Sequence, residues 1–211
     1  CGRCNIGSKY VCKDGPVFDG EILDFAKIDS SVTSSRFEIK KSLPPEEDVD
    51  LSVEIAGVKF QNPVIAASGT FGYGSEYSSV FDVNELGGIC SKGLTLEGRP
   101  GNKGMRLVET PSGLINSIGL ENPGISHFIK NELPEMMKIK AKTIVNLSGS
   151  SLETYVEGAK LLESTEIPMI ELNISCPNVK AGGMAFGMNC DAASSVVSAV
   201  LKVTKKPLMV K

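Results

Sequence analysis

The chain has 211 residues, 41% of them apolar, with 22 Lys plus Arg against 25 Asp plus Glu and a formal net charge of -3. That balance suits a globular chain with one good-sized core and argues against a nucleic-acid platform. No stretch nears the ~20 consecutive apolar residues of a membrane span, no secretory leader pattern is read, and the glycines follow no period. The expectation is a cytoplasmic protein with neither nucleic acid nor membrane as partner.

The chain opens on Cys1-Gly2-Arg3-Cys4, with Cys12 following. A Cys-x-x-Cys in a chain of this kind reads as a metal site better than as a disulfide. Three thiolates are one short of the four that structural zinc or an iron–sulfur cluster takes. The chain also ends on Lys211, directly after the apolar run at 207–210, so a fragment at both ends is expected. Residues 1–25 read as a partial cluster-binding tail. Residues 26–50 read as a linker, since Ser30 to Ser35 are small and polar and Pro44-Pro45 breaks any helix. The compact domain is expected at 51–211.

Within it, residues 51–60 alternate apolar and polar around Gly57, which predicts a β-hairpin. A rhythm follows: strand at 62–68, helix at 76–86, strand at 88–92, then a Gly/Pro/Asn-rich insertion at 94–124. Helix at 125–137, strand at 142–147, helix at 151–162, strand at 169–174, helix at 191–203 and strand at 207–210 complete it. Strands separated by helix-length crossovers make a parallel sheet. Two architectures fit: a doubly wound sheet, or a (β/α)8 barrel, which needs about 250 residues, cut after five strands.

Each predicted strand delivers polar side chains at its C-terminal end: Ser68, Lys92, Asn146, Asn173 with Cys176 beyond it, and Lys211. In parallel α/β folds these ends share one face, and that face carries the site. Asn offers a donor and an acceptor together and suits a heteroaromatic edge; lysine suits a carboxylate, a phosphate or a reduced flavin. Cys176, followed by Gly182-Gly183, fits a nucleophile or a general base on a loop. Residues 69–74 do not form G-x-G-x-x-G, and no acidic residue closes the 88–92 strand, which rejects a classical dinucleotide site there. His127, the one histidine, is expected at the surface, and Cys90 is expected as packing.

These residues resemble a known family. Asn62-Pro63-Val64-Ile65-Ala66-Ala67-Ser68-Gly69-Thr70-Phe71-Gly72, Ser91-Lys92-Gly93-Leu94-Thr95-Leu96 and Glu171-Leu172-Asn173-Ile174-Ser175-Cys176-Pro177-Asn178 carry the likeness. Asn116-Ser117-Ile118-Gly119-Leu120 adds to it. Residues 51–211 are similar to the first half of the dihydroorotate dehydrogenase family, in its class 1 NAD-linked branch. The resemblance implies a TIM barrel that oxidises dihydroorotate to orotate on FMN, in pyrimidine biosynthesis, and a complete protein that is a homo-oligomer. It implies Cys176 as base, with Lys92 touching both flavin and substrate. Asn116, Ser117, Ile118, Gly119, Leu120 and Asn173 match substrate contacts. Ser68, Lys92, Gly93, Asn146, Asn173 and Lys211 match flavin contacts.

Tyr10-Val11-Cys12-Lys13-Asp14-Gly15-Pro16-Val17-Phe18 resembles the C-terminal [2Fe-2S] tail of flavoprotein electron-transfer subunits. On that likeness Cys1, Cys4 and Cys12 match three of four cluster ligands, on a route to FAD and NAD through a fused domain or partner subunit. The rival enzyme reading is a dihydropyrimidine dehydrogenase-type flavoenzyme, which has His where this chain has Asn178. The rival of another class is an electron-transfer iron–sulfur protein without dehydrogenase activity.

Overall fold

A computed structural model describes residues 49–175 and 184–211, with two short strands, β1 (Asn5–Ile6) and β2 (Lys9–Tyr10), paired antiparallel. The chain divides into two compact units: one comprises Leu51–Lys103 with Ile118–Lys211, and the other includes Gly104–Ser117.

The larger unit opens on the expected hairpin, β3 (Val53–Ile55) against β4 (Val58–Phe60). Its two-residue turn puts both Ala56 (φ 50°) and Gly57 (φ 80°) in the left-handed region, as a type I′ turn demands. Strands β5 (Ile65–Ala66) and β6 (Gly88–Cys90) follow. The Gly/Pro/Asn-rich stretch expected as an insertion contains a hairpin, β7 (Leu107–Thr110) with β8 (Gly113–Asn116), which lies in the other unit. Back in the larger unit are β9 (Lys142–Ser148), β10 (Met169–Asn173) and β11 (Leu208–Val210).

The five-stranded sheet runs β5-β6-β9-β10-β11, every pair parallel. Spatial order therefore equals chain order. A doubly wound sheet reverses its order at a switch point, whereas a barrel adds strands in one direction. The observed order selects the barrel-like arrangement, with β5 and β11 at the two ends of the sheet.

Period-two alternation sorts the strand side chains between two cores. Val145, Leu147, Ile170 and Leu172 face the helices, where Ile125, Phe128, Tyr155, Ala159, Leu162, Val196 and Val200 meet them. Cys90, Ile144 and Met169 face the other way, against Val58 and Phe60 of the hairpin. Each fully buried residue of this size contributes about 1.5–3 kcal/mol. Strands β9 and β10 are buried on both faces, the inner face turning from apolar at Ile144 and Met169 to polar at Asn146, Glu171 and Asn173.

Helix α1 (Ile125–Asn131) and α2 (Leu133–Met136) replace the single helix expected at 125–137. Pro134 causes the break, since it lacks the N–H that would continue the ladder and fits only a first turn. Helix α3 (Leu152–Glu163) starts as expected at Ser151, whose side chain closes a capping box with Thr154. A short α4 (Met184–Gly187) precedes α5 (Cys190–Leu201), capped by the Asn189 side chain. The helix expected at 76–86 is instead two 3-10 turns, Ser75–Tyr77 and Val83–Glu85. Val80 is 75% exposed, so the apolar face that predicted the helix is not buried, and the Asp82 carboxylate starts a new turn by accepting from Asn84 N–H. Among the described residues no helix is long and apolar enough to cross a membrane.

Candidate active site

The strands deliver their polar C-terminal ends to one place. Asn146 on β9 and Glu171 on β10 are register partners, both buried. Asn146 Nδ2 donates to Glu171 Oε1 and, at 3.1 Å, to Ser68 Oγ. Ser68, just past β5, donates to the same Glu171 Oε1 at 2.5 Å. Lys211, just past β11, donates from Nζ to Ser68 Oγ at 2.8 Å and stands 3.7 Å from Glu171 Oε1. Asn173 closes the group by donating from Nδ2 to Asn146 Oδ1 at 3.3 Å. Four expected residues, Ser68, Asn146, Asn173 and Lys211, are thus brought together around one carboxylate.

Lys92 is half-buried just past β6, its N–H bonded to Gly72 O, and its ammonium has no partner among the described residues. Gly93 beside it is buried in a cradle that only glycine fits. A Cβ there would stand 2.9 Å from Leu120 Cδ1 and 3.0 Å from Asn146 Oδ1. That contact also places Leu120 at the cluster. Leu120 has φ 57°, a strained conformation for a bulky residue, next to Gly119 at φ 78°. Ile118 O accepts from Asn102 N–H, and Asn122 pins the same segment from below: its side chain bonds Thr95, Leu120 O and Gly124 N–H.

Asn116 and Ser117 belong to the other unit, where Asn116 ends β8 and Ser117 N–H donates to Arg106 O. Cys176, Cys1, Cys4 and Cys12 lie outside the described residues. Among the described residues no group of three His, Cys, Asp or Glu is placed to hold a metal ion. His127 is exposed, as expected, 3.4 Å from the Glu132 carboxylate.

Three residues have roles at the site that the sequence reading did not give them. Glu171 has the clearest signal, a charge inside the apolar strand Met169–Asn173 at the same parity as Asn173. Cys90 does pack in the inner core, but its Sγ also faces Glu171 Oε2 at 3.6 Å. Burial, and then the Glu171 charge, push its thiol up to about 12, so it stays a neutral donor. Tyr155 is fully buried and donates its OH to Asn173 O at 2.6 Å, fixing the end of β10; a two-state sequence pattern marks it only as core.

A separate groove of about 220 Å³ lies between Thr95, Arg99 and the start of α3. Its one buried polar side chain, Thr95, spends its hydroxyl on Glu97 O and on Asn122. The strand-end cluster, with buried polar groups and two lysines, is the better candidate.

Residues 50–211 match the dihydroorotate dehydrogenase family. The chain belongs to that family. Among its relatives, the protein named dihydroorotate dehydrogenase B (NAD(+)), catalytic subunit, of Petrotoga mobilis is 55% identical over 163 residues, which cover 77% of this chain and 54% of that protein. The like-named protein of Bacteroides thetaiotaomicron is 52% identical over the same shares. The chain therefore spans about half the length of the curated relatives it matches. A solved dihydroorotate dehydrogenase of Eimeria tenella, in complex with ferulenol, superposes with a TM-score of 0.59 at 19% identity, over 95% of this chain and 60% of that one. That likeness supports the TIM-barrel-like fold reached from strand order.

Proposed function

We propose that this chain supplies part of the FMN site of a dihydroorotate dehydrogenase, and that the whole protein oxidises dihydroorotate to orotate for pyrimidine biosynthesis. The observation that carries the reading is the hydrogen-bonded Ser68–Asn146–Glu171–Lys211 cluster, with Asn146 and Glu171 buried, at the strand ends of a chain in this family.

The residues present fit a flavin. Asn146, Asn173 and Ser68 carry the donors and acceptors that a heteroaromatic edge needs and would exchange present partners for it, Lys211 and Lys92 offer cations, and Gly93 spares Asn146 the Cβ that would press on its amide oxygen. These six residues would hold the cofactor. When bound, FMN supplies a hydride acceptor. The Lys92 ammonium, without a partner among the described residues, would hold an anionic substrate group, with Ile118, Gly119, Leu120 and Asn173 as further contacts; for Asn116 and Ser117, in the other unit, that role rests on the family resemblance alone. Cys176, two residues beyond Ile174, would take the proton from the ring carbon beside the substrate carbonyl as a thiolate, leaving the neighbouring C–H to depart as hydride.

The relatives' name includes NAD(+) and a catalytic subunit, which supports NAD as acceptor and an electron-transfer partner. On this reading Cys1, Cys4 and Cys12 are ligands of a [2Fe-2S] cluster on the path to FAD and NAD, and the whole protein is a homo-oligomer.

The test uses the full-length protein. Acid should release FMN, and dihydroorotate, but not dihydrouracil, should bleach the flavin absorbance. Bleaching by dihydrouracil alone would favour the dihydropyrimidine reading, and a protein without flavin would sink the proposal. Iron content and electron paramagnetic resonance, with Cys4→Ser as control, test the cluster.

A further inference from the structure

We infer that Glu171 is a positioning residue that sets the flavin's reduction potential through Lys211 and Ser68, without touching the cofactor. The inference rests on the FMN reading of this site.

A carboxylate in this position needs a reason. Glu171 is 5% exposed, and burying an ionised carboxylate is costly unless it is paired and hydrogen-bonded. Its neighbours along the same face of β10 differ sharply. Met169, two residues before, lies in the apolar inner core; Asn173, two residues after, lies in the polar cluster. Glu171 sits at the boundary. An apolar residue there would extend the inner core at no electrostatic cost, since exchanging buried ions for well-packed apolar groups is often neutral or stabilising. The carboxylate instead gathers the strand ends. Oε1 accepts from Ser68 Oγ and Asn146 Nδ2 and faces Lys211 Nζ at 3.7 Å, while Oε2 faces the Cys90 thiol at 3.6 Å.

The direction of the effect follows from charge. Lys211 reaches the cluster through Ser68, at 2.8 Å, which holds its ammonium at the strand ends among the residues that would hold the flavin. Reduction makes a flavin more electron-rich, and a cation favours it. Glu171 offsets part of the Lys211 charge and so holds the potential down. It also fixes which way Ser68 points: with its hydrogen committed to Glu171, Ser68 Oγ must accept from Lys211.

The experiment measures the flavin midpoint potential in the full-length, FMN-loaded protein. Glu171→Gln should shift the reduction equilibrium about tenfold toward reduced flavin, about +30 mV for a two-electron couple. Glu171→Asp, which keeps the charge, should stay near wild type. In a Lys211→Gln background the Glu171→Gln shift should shrink to a minor part, the coupling of a double-mutant cycle. Glu171→Met removes the charge while keeping the volume, and serves if the Gln variant does not fold. An unchanged potential in loaded Glu171→Gln or Glu171→Met overturns the inference and leaves the FMN reading intact. So does loss of flavin from both while wild type stays loaded, because the role is then structural. A wild-type protein that binds no flavin overturns both.

Discussion

Asn146 and Glu171 stand opposite each other in register on neighbouring parallel strands, and the Asn146 amide donates to the Glu171 carboxylate. The pair fixes the amide's orientation: with Nδ2 turned to Glu171 and Ser68, Oδ1 is left facing Asn173 and Ser148. An amide flip would set its oxygen against the carboxylate. Strand register therefore decides which edge of Asn146 a ligand meets.

Gly93→Ala tests the cradle. The added Cβ would meet Asn146 Oδ1 and Leu120 Cδ1 at about van der Waals overlap, 3.0 and 2.9 Å. Overpacking of this kind costs about 1–3 kcal/mol. Flavin affinity should fall by roughly 10- to 100-fold, measured by fluorescence titration of the apoprotein, and the melting temperature should fall by several degrees. An unchanged affinity would place the flavin elsewhere.

Cys176→Ala tests the base. Loss of a general base slows proton abstraction by about 10²- to 10⁴-fold. Stopped-flow reduction by dihydroorotate should slow by that range while substrate affinity holds. Near-normal reduction at neutral pH would remove Cys176 from the role.

Alkaline stability depends on a buried thiol and a half-buried phenol. The Cys90 thiol rises from 9.0 to about 12 by burial and then the Glu171 charge. The Tyr73 phenol rises from 10.0 to about 12 by burial, then Glu132 and Glu76. Above its ordinary value each group loses its proton in the unfolded chain but keeps it in the folded one. The unfolded state then binds fewer protons, so stability falls as pH rises. The contribution is complete below about pH 9 for Cys90 and is lost between about 9 and 12. Urea midpoints should fall steeply over that window, and Cys90→Ala should flatten the slope where it begins, leaving the Tyr73 part. Parallel slopes in the two proteins would disprove the assignment.

Much of this was legible because it depends on local pattern. Apolar runs at helix-length separation give a parallel sheet, and Ser151, a cap by residue type, marks the start of α3. Strand-end polarity picked out Ser68, Asn146, Asn173 and Lys211 before any geometry was known. What failed was tertiary. The stripe of Tyr77, Val80 and Phe81 predicts a helix only if something covers Val80, and none of the described residues does. The hairpin β7–β8 turns at Pro111-Ser112 with no alternation to betray it, since Leu107, Val108, Leu114 and Ile115 are consecutive apolar pairs. Glu171 was hidden for the opposite reason: its partners come from positions 68, 90, 146 and 211, and no sequence window contains them.

Tyr155 offers the last prediction. Its OH reaches Asn173 O at 2.6 Å, and its ring meets Phe186 edge-on at 5.8 Å and 83°. One side chain of α3 thus holds the end of β10 before residues 176–183 and the ring of Phe186 after them. Tyr155→Phe keeps the ring contact and deletes a buried hydrogen bond, which costs about 1–3 kcal/mol when the partner is left unsatisfied. Tyr155→Leu deletes both, adding about 0.5–1.5 kcal/mol for the aromatic pair. If the anchored strand end matters to the chemistry beyond stability, Tyr155→Phe should lower kcat for dihydroorotate severalfold with flavin content unchanged, because Asn173 is held from its carbonyl side and Cys176 follows three residues on. Tyr155→Leu should lower kcat further and in step with its stability loss. Full kcat in a destabilised Tyr155→Phe protein would reduce Tyr155 to a core residue.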